Sequence, residues 1–245
     1  MDTKYLFYIT LVISIAVQII TGIIEIGAFF VKVPTFYSLI KQLLIIELVV
    51  QFFEGTFYFW LAYNFTKVLN VTPKRYIDWV ITTPSMLITL MVYLIYLNQR
   101  ESKDSSWSMK LFPCVNKRVK NKINELNLFT ILKENLNIFI PVVLLNWLML
   151  LFGYLGEMKI IPLLLGLFLG FMSFLIYYYI IYVNYVTQNA SEQLLFWYFF
   201  FFWSLYGVVA ILPYYIKNSF YNILDLFSKN FFGIFLSYII FFEKY

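Results

Sequence analysis

The sequence predicts an all-α fold, a bundle of seven transmembrane helices with the N-terminus outside and the C-terminus inside. Three observations carry that expectation. The 245 residues are 62% hydrophobic and 13% charged, with a mean hydropathy of +0.79, whereas soluble domains carry about 25% charged residues. Seven apolar segments can be drawn, each at least the ~20 residues that cross a hydrocarbon core as a helix. Between the third and fourth lies one long connection, and it is rich in lysine and arginine.

The segments fall at about 4–31, 36–64, 72–98, 130–155, 159–186, 190–215 and 218–243. The first begins too close to Met1 for a cleavable signal peptide, so it reads as a permanent helix. Short connections follow most of them: "PTF" after the first, "TKVLNVTP" after the second, "TQNAS" between the fifth and sixth. The long connection, about 99–128, reads "QRESKDSSWSMKLFPCVNKRVKNKINEL" and holds Arg100, Lys103, Lys110, Lys117, Arg118, Lys120 and Lys122. The positive-inside rule makes it cytoplasmic. Counting three helices back and four forward then sets the orientation of both termini. A topology signal explains these charges, with docking of a partner or acidic lipids as the alternative. Asn116 to Leu128 could add a short interfacial helix. With no repeat or polar domain, residues 1–245 form a single membrane domain.

Composition also excludes several classes. Cys114 is the single cysteine and histidine is absent, so an internal disulfide is impossible and no bound metal is expected. The net charge of +5 is explained by the cytoplasmic loop and does not call for nucleic acid. The 28 Phe, 21 Tyr and 6 Trp suit lipid-facing surfaces and interfacial belts. A multi-pass integral membrane protein is expected, with no enzymatic activity.

The last segment contains "NILDLFSKNFFG", in which Asp225 and Lys229 stand four residues apart and share a helical face. Burial in a membrane disfavours an ammonium ion, which leaves an amine able to form a Schiff base with an aldehyde. A structural ion pair between helices is the alternative for this segment. The third segment, "KRYIDWVITTPSMLITL", places Arg75 and Asp78 one turn apart. Two positive groups (Lys229 as a protonated imine, Arg75) and two negative ones (Asp78, Asp225) close to zero, as a tolerated buried cluster must.

These stretches resemble the microbial rhodopsins. "RYIDW..TTP" is similar to their third helix, which implies that Asp78 is the primary counterion and proton acceptor, with Thr82 its companion. "LDLFSK" resembles their seventh helix and implies a secondary counterion at Asp225 and covalent all-trans retinal on Lys229. "WSLYG" resembles the W-x-x-Y box of the sixth helix. By the resemblance, Trp203 and Tyr206 pack on the polyene. Tyr76, Trp79, Thr83 and Met86 line it from the third helix, and Ser228 adds a dipole beside the imine. Gly207 and Ala210 stand where the family usually has proline and often has a ring-packing tryptophan, which suggests a blue-shifted spectrum.

Transport is read from what accompanies this core. The carboxylic donor that proton pumps carry eleven residues after the counterion is Thr89 here. The outer stretch "PYYIKNSFYN" carries Lys217 and no acid. Three segments instead bear polar stripes at offsets of 0, 4, 7 and 11: Ser14, Gln18, Thr21, Glu25; Glu47, Gln51, Glu54, Tyr58; Asn218, Asn222, Asp225, Lys229. At ~100° per residue each stripe stays on one face, and in a bilayer it must face protein or water. Converging stripes could enclose a hydrated, cation-favouring path lined by the three glutamates, or close as a dry hydrogen-bonded seam.

The pattern is similar to the group-1 viral rhodopsins, light-gated cation channels with a glutamate pair in the second helix and a lysine–asparagine pair opening the seventh. Glu47 and Glu54, Lys217 and Asn218, Asn222, Asn230 and Ser14 match it; Ile15 stands where a glutamine is expected. The resemblance implies a passive monovalent-cation conductance in a membrane of the host cell. An outward proton pump and a sensory photoreceptor without transport are the alternatives. Expected partners are membrane lipids and the transported cations. Self-association is left open, and neither nucleic acid nor a transducer protein is expected.

Overall fold

The computed structural model describes residues 2–34, 37–101, 107–109, 117–119, 127–187 and 189–242. The helices are α1 (Thr3–Phe30), α2 (Ser38–Asn64), α3 (Thr72–Glu101), α4 (Leu128–Glu134), α5 (Leu136–Glu157), α6 (Leu163–Tyr185), α7 (Ala190–Val209), α8 (Tyr214–Asp225) and α9 (Phe231–Phe242). A π-helical turn, Leu226–Asn230, joins α8 to α9. Since α4 runs into α5 and α8 into α9, seven rods result among the described residues. Six are long and apolar enough to cross a membrane. The other, α7, has 20 residues, about 30 Å of helix, and reads "FWYFFFFW" through its centre.

In the long connection, β1 (Trp107–Met109) pairs antiparallel with β2 (Lys117–Val119), Trp107 opposite Val119. The interfacial helix expected over 116–128 is therefore not formed at Lys117–Val119, and residues 120–126 lie outside the described residues. So do Lys103, Lys110, Cys114, Lys120 and Lys122. The connection is also shorter than expected, because α3 continues to Glu101 and α4 begins at Leu128.

Local chemistry explains the ends. Asp2, Asn127 and Asn189 cap α1, α4 and α7 by accepting from the backbone N–H two residues on. Pro162 and Pro213 precede α6 and α8, where a missing N–H costs nothing. Asn135 separates α4 from α5, its side-chain amide bonding the Ile131 carbonyl at 2.8 Å. Pro84 lies inside α3 and cannot donate to the carbonyl of Val80. The indole N–H of Trp147 on α5 does so instead, at 3.0 Å.

Amphipathicity sets how the rods turn. On α1, Ser14, Gln18, Thr21 and Glu25 are buried while Ile13, Ile20 and Ile23 are exposed. In a bilayer, where the outside is hydrocarbon, such a helix turns its polar side inward. α5 and α6 approach closely at Gly156 and Gly166, where a Cβ on Gly166 would meet the Phe152 carbonyl oxygen at 2.7 Å and Gly156 Cα at 3.0 Å. Close backbone approach through small residues holds membrane helices together. Gly166→Ala should cost about 1–3 kcal/mol by overpacking, read as a lower unfolding midpoint in detergent; an unchanged midpoint would contradict this contact.

Candidate functional site

Lys229 lies in the π-turn. Ser228, Lys229 and Asn230 are buried in succession there, and they meet different helices: Ser228 the Tyr206 hydroxyl, Lys229 the Asp78 carboxylate and Asn230 the Gln18 amide. Lys229 Nζ donates to Asp78 Oδ2 of α3 at 2.6 Å. It also stands 3.6 Å from Asp225 Oδ1 and 3.7 Å from Glu54 Oε1 of α2. All four side chains are almost wholly buried.

Asp225 is the organised carboxylate. Tyr58 and Tyr206 each donate to it at 2.6 Å, through Oδ2 and Oδ1 respectively. Arg75 Nη1 approaches Oδ2 at 3.4 Å. The Tyr206 hydroxyl also meets Ser228 Oγ at 2.7 Å. Arg75 is held in turn by α8: its Nε donates to Asn218 Oδ1 at 3.0 Å, and its Nη2 donates to Asn222 Oδ1. Asp78 Oδ1, by contrast, has no hydrogen-bond partner among the described residues. Thr82, expected as the companion of Asp78, donates to that residue's backbone carbonyl at 3.0 Å and not to its carboxylate.

The four-charge cluster expected from sequence is assembled, with one addition. Glu54, read there only as part of a pathway, is within ion-pairing distance of Lys229. The cluster thus sets three carboxyl groups against two cations.

From Lys229 an apolar cavity runs between α3, α5, α6 and α7. Every residue expected to line a polyene is on its wall: Tyr76, Trp79, Thr83, Met86, Trp203, Tyr206 and Ser228. Ala210 is there as well. So is Gly207, where a Cβ would come within 2.5 Å of Phe171 Cε2, so the ring of Phe171 takes room that a side chain at 207 would need. The sequence reading missed Phe171, Phe174, Met149 and Tyr221, which are also on the wall; nothing distinguishes these positions among so many aromatic and apolar residues. It missed Asn146 too, whose Oδ1 accepts from Thr83 Oγ1 at 2.8 Å. An amide in the middle of an apolar helix was the available signal.

The three polar stripes converge. Ser14 Oγ donates to the Asn222 carbonyl at 3.1 Å, and Asn222 Nδ2 to Thr10 Oγ1 at 3.1 Å. Gln18 Nε2 donates to Asn230 Oδ1 at 3.2 Å, and Gln51 Nε2 to both the carbonyl and the side-chain oxygen of Gln18. Further along, Glu47 of α2 and Glu25 of α1 are both buried. Direct hydrogen bonds between side chains close much of this interface. The glutamates are the exception: among the described residues, Glu25 Oε2, Glu47 Oε1 and both oxygens of Glu54 are buried without a hydrogen-bond partner.

Lys217 does not join this interface. Its Nζ turns to the other side of α8 and bonds Glu157 Oε2 of α5 at 2.5 Å. Asn218, one residue on, faces Arg75. Adjacent helical positions lie ~100° apart, so the matching pair cannot serve one face.

A buried lysine with carboxylates at its nitrogen, at the end of an apolar aromatic slot, fits an elongated aldehyde with a cationic attachment. Comparisons with known proteins agree. A family model described as bacteriorhodopsin-like protein matches residues 10–242. Among solved structures, viral rhodopsin OLPVRII is 29% identical, with a TM-score of 0.73 over 97% of this chain and 96% of that one. Xanthorhodopsin, a light-driven ion pump with dual chromophore, is 16% identical with a TM-score of 0.68 over 97% and 93%. The proton-pumping rhodopsin AR2 from the marine alga Acetabularia acetabulum is 19% identical with a TM-score of 0.64 over 100% and 98%. The last two likenesses concern the fold alone. No curated protein matches the chain. With its family model covering nearly the whole sequence and the lysine–carboxylate centre in place, the chain belongs to the bacteriorhodopsin-like family, integral membrane proteins that carry retinal on a lysine.

Proposed function

We propose that this protein binds all-trans retinal on Lys229 and acts as a light-gated channel for monovalent cations. The observation that carries the reading is a column of polar side chains, all buried except the half-buried Gln51, between the first, second, third and seventh rods. It leads from Asn218 and Asn222, past the Lys229 cluster, to Gln18, Gln51 and Asn230. Glu47 and Glu25 continue it toward the other end.

Retinal, when bound, supplies an aldehyde carbon for the lysine nitrogen and a light-driven change of shape. The residues do the rest. Asp78 Oδ2, already 2.6 Å from Lys229 Nζ, accepts the proton held at that nitrogen. With the nitrogen neutral, Glu54 and Asp225 lose the cation that balanced them. A buried cluster of two cations and three carboxyls closes to zero only with a proton on one carboxyl. Moving the proton from Lys229 Nζ to an ionised Asp78, with the other proton held on one of the remaining carboxyls, changes the balance felt by α2 and the seventh rod, which line the column. Only such a difference between dark and lit states can shift a gate.

Voltage-clamped cells expressing the protein should show a photocurrent whose reversal potential follows the monovalent-cation gradient. A current that stays outward at all ordinary voltages would replace this reading with an outward proton pump. The direct Lys229–Asp78 bond supports that second reading. No current at all would remove both.

A further inference from the structure

We propose that Glu157 is a positioning residue of the chromophore site, acting from the outer end of the bundle through Tyr221; this rests on the retinal-binding reading. Glu157 is the last residue of α5, and its side chain is only 1% exposed. Nothing in the sequence marks it, because it ends an apolar helix and has no spacing relation to the charged motifs.

Three donors from two other rods converge on its carboxylate. Lys217 Nζ reaches Oε2 at 2.5 Å, while the hydroxyls of Tyr221 and Tyr76 reach Oε1 at 3.0 and 3.4 Å. The backbone is shaped to place it there. Ile160 N–H bonds the Leu155 carbonyl at 2.9 Å and Lys159 N–H that of Gly156 at 3.1 Å, which is the double closure of a Schellman end. Lys159 takes the left-handed position with φ of 60°, a conformation that disfavours a side chain. The chain thus accepts local strain in the turn that ends α5 next to α8.

Both tyrosines also line the apolar cavity. Tyr221 is the hub. Its ring stacks on Tyr206 at 5.7 Å, meets Trp79 edge-on at 5.1 Å, and lies 5.5 Å from the Arg75 guanidinium. Tyr206 in turn donates to Asp225. One ring therefore separates Glu157 from the aromatic wall, from the cation that pairs with Asp225, and from a donor to that counterion. Lys217 fastens the same carboxylate to the start of α8. The carboxylate's role is to keep Tyr221 at one orientation, and with it the outer wall of the cavity closed over Lys229.

The test uses the purified full-length protein with Glu157→Gln, Tyr221→Phe and both together. The readouts are dark bleaching of the retinal-loaded protein by hydroxylamine and thermal unfolding of the retinal-free protein. A hydrogen bond to a charged group is worth enough to change opening of the wall about tenfold. Both single variants should bleach faster by about that factor. The double variant should bleach no faster than Glu157→Gln alone, and the unfolding midpoints should show the same non-additivity. Unchanged bleaching in Tyr221→Phe, or additive effects in both measurements, would overturn the proposal and leave Glu157 a structural ion pair. Should Glu157→Gln fail to fold, Tyr221→Phe alone still decides, since it removes only the hydroxyl that bonds Glu157 and must speed bleaching about tenfold. Unmutated protein that forms no pigment with all-trans retinal removes the underlying reading instead, so the two failures are distinguishable.

Discussion

Lys229→Ala protein should stay colourless after incubation with all-trans retinal, whereas the unmutated protein should become coloured. The expected loss is complete, because Lys229 contributes the only amine on the described wall of the apolar cavity. The next lysine along the seventh rod, Lys217, is committed to Glu157. The substitution also removes the cation from between Asp78, Asp225 and Glu54, and breaking a buried pair from one side costs about 3–5 kcal/mol. Absence of colour must therefore be read alongside a helical circular dichroism spectrum. A coloured Lys229→Ala protein would overturn the attachment site.

Asp78→Asn should keep its colour but absorb at a longer wavelength, by tens of nanometres. A carboxylate at the nitrogen end stabilises the positive charge where it rests in the ground state. Excitation spreads that charge along the polyene, so the ground state loses more than the excited state when the carboxylate is removed. Opposite charges 4 Å apart attract by about 4 kcal/mol at an effective dielectric constant of ~20. The part that differs between the two states appears in the spectrum. Asp225 and Glu54 remain within 4 Å of Lys229 Nζ, so the cation survives and the pigment should form. Asp225→Asn should shift the maximum less, since Asp225 stands 3.6 Å away against 2.6 Å for Asp78. An unmoved maximum in Asp78→Asn removes Asp78 as the counterion.

The parts of this site legible in the chain are those in which one segment contains both the residue and its reason. Asp225 and Lys229 read as a pair because four residues make one helical turn, and Arg75 with Asp78 because three do. Polar residues at offsets of 4, 7 and 11 identify a face, and a bilayer leaves that face one direction to point. The stripe of α1 is buried in full, and those of α2 and the seventh rod except for the half-buried Gln51. The π-turn was not legible, since "LDLFSKNFFG" contains neither proline nor any residue that demands a wider turn. Within it Lys229 bonds Asp78 and Asn230 bonds Gln18.

Glu54 and Lys217 show the remaining difference. Spacing placed both on plausible faces, but the partner that each one meets depends on the tilt and rotation of a rod distant in sequence. Glu54 comes beside Lys229, and Lys217 turns away to Glu157. Periodicity and the cost of charge in hydrocarbon account for the number of rods, the polar faces and the charged pairs at Arg75/Asp78 and Asp225/Lys229, whereas the roles of Lys229, Asp78 and Asp225 are what the family resemblance implies. Only the tertiary structure brings Glu54 beside Lys229 and sets Tyr221 and Lys217 against Glu157. Each of these depends on contacts of a few ångströms between separate helices, which no local pattern encodes.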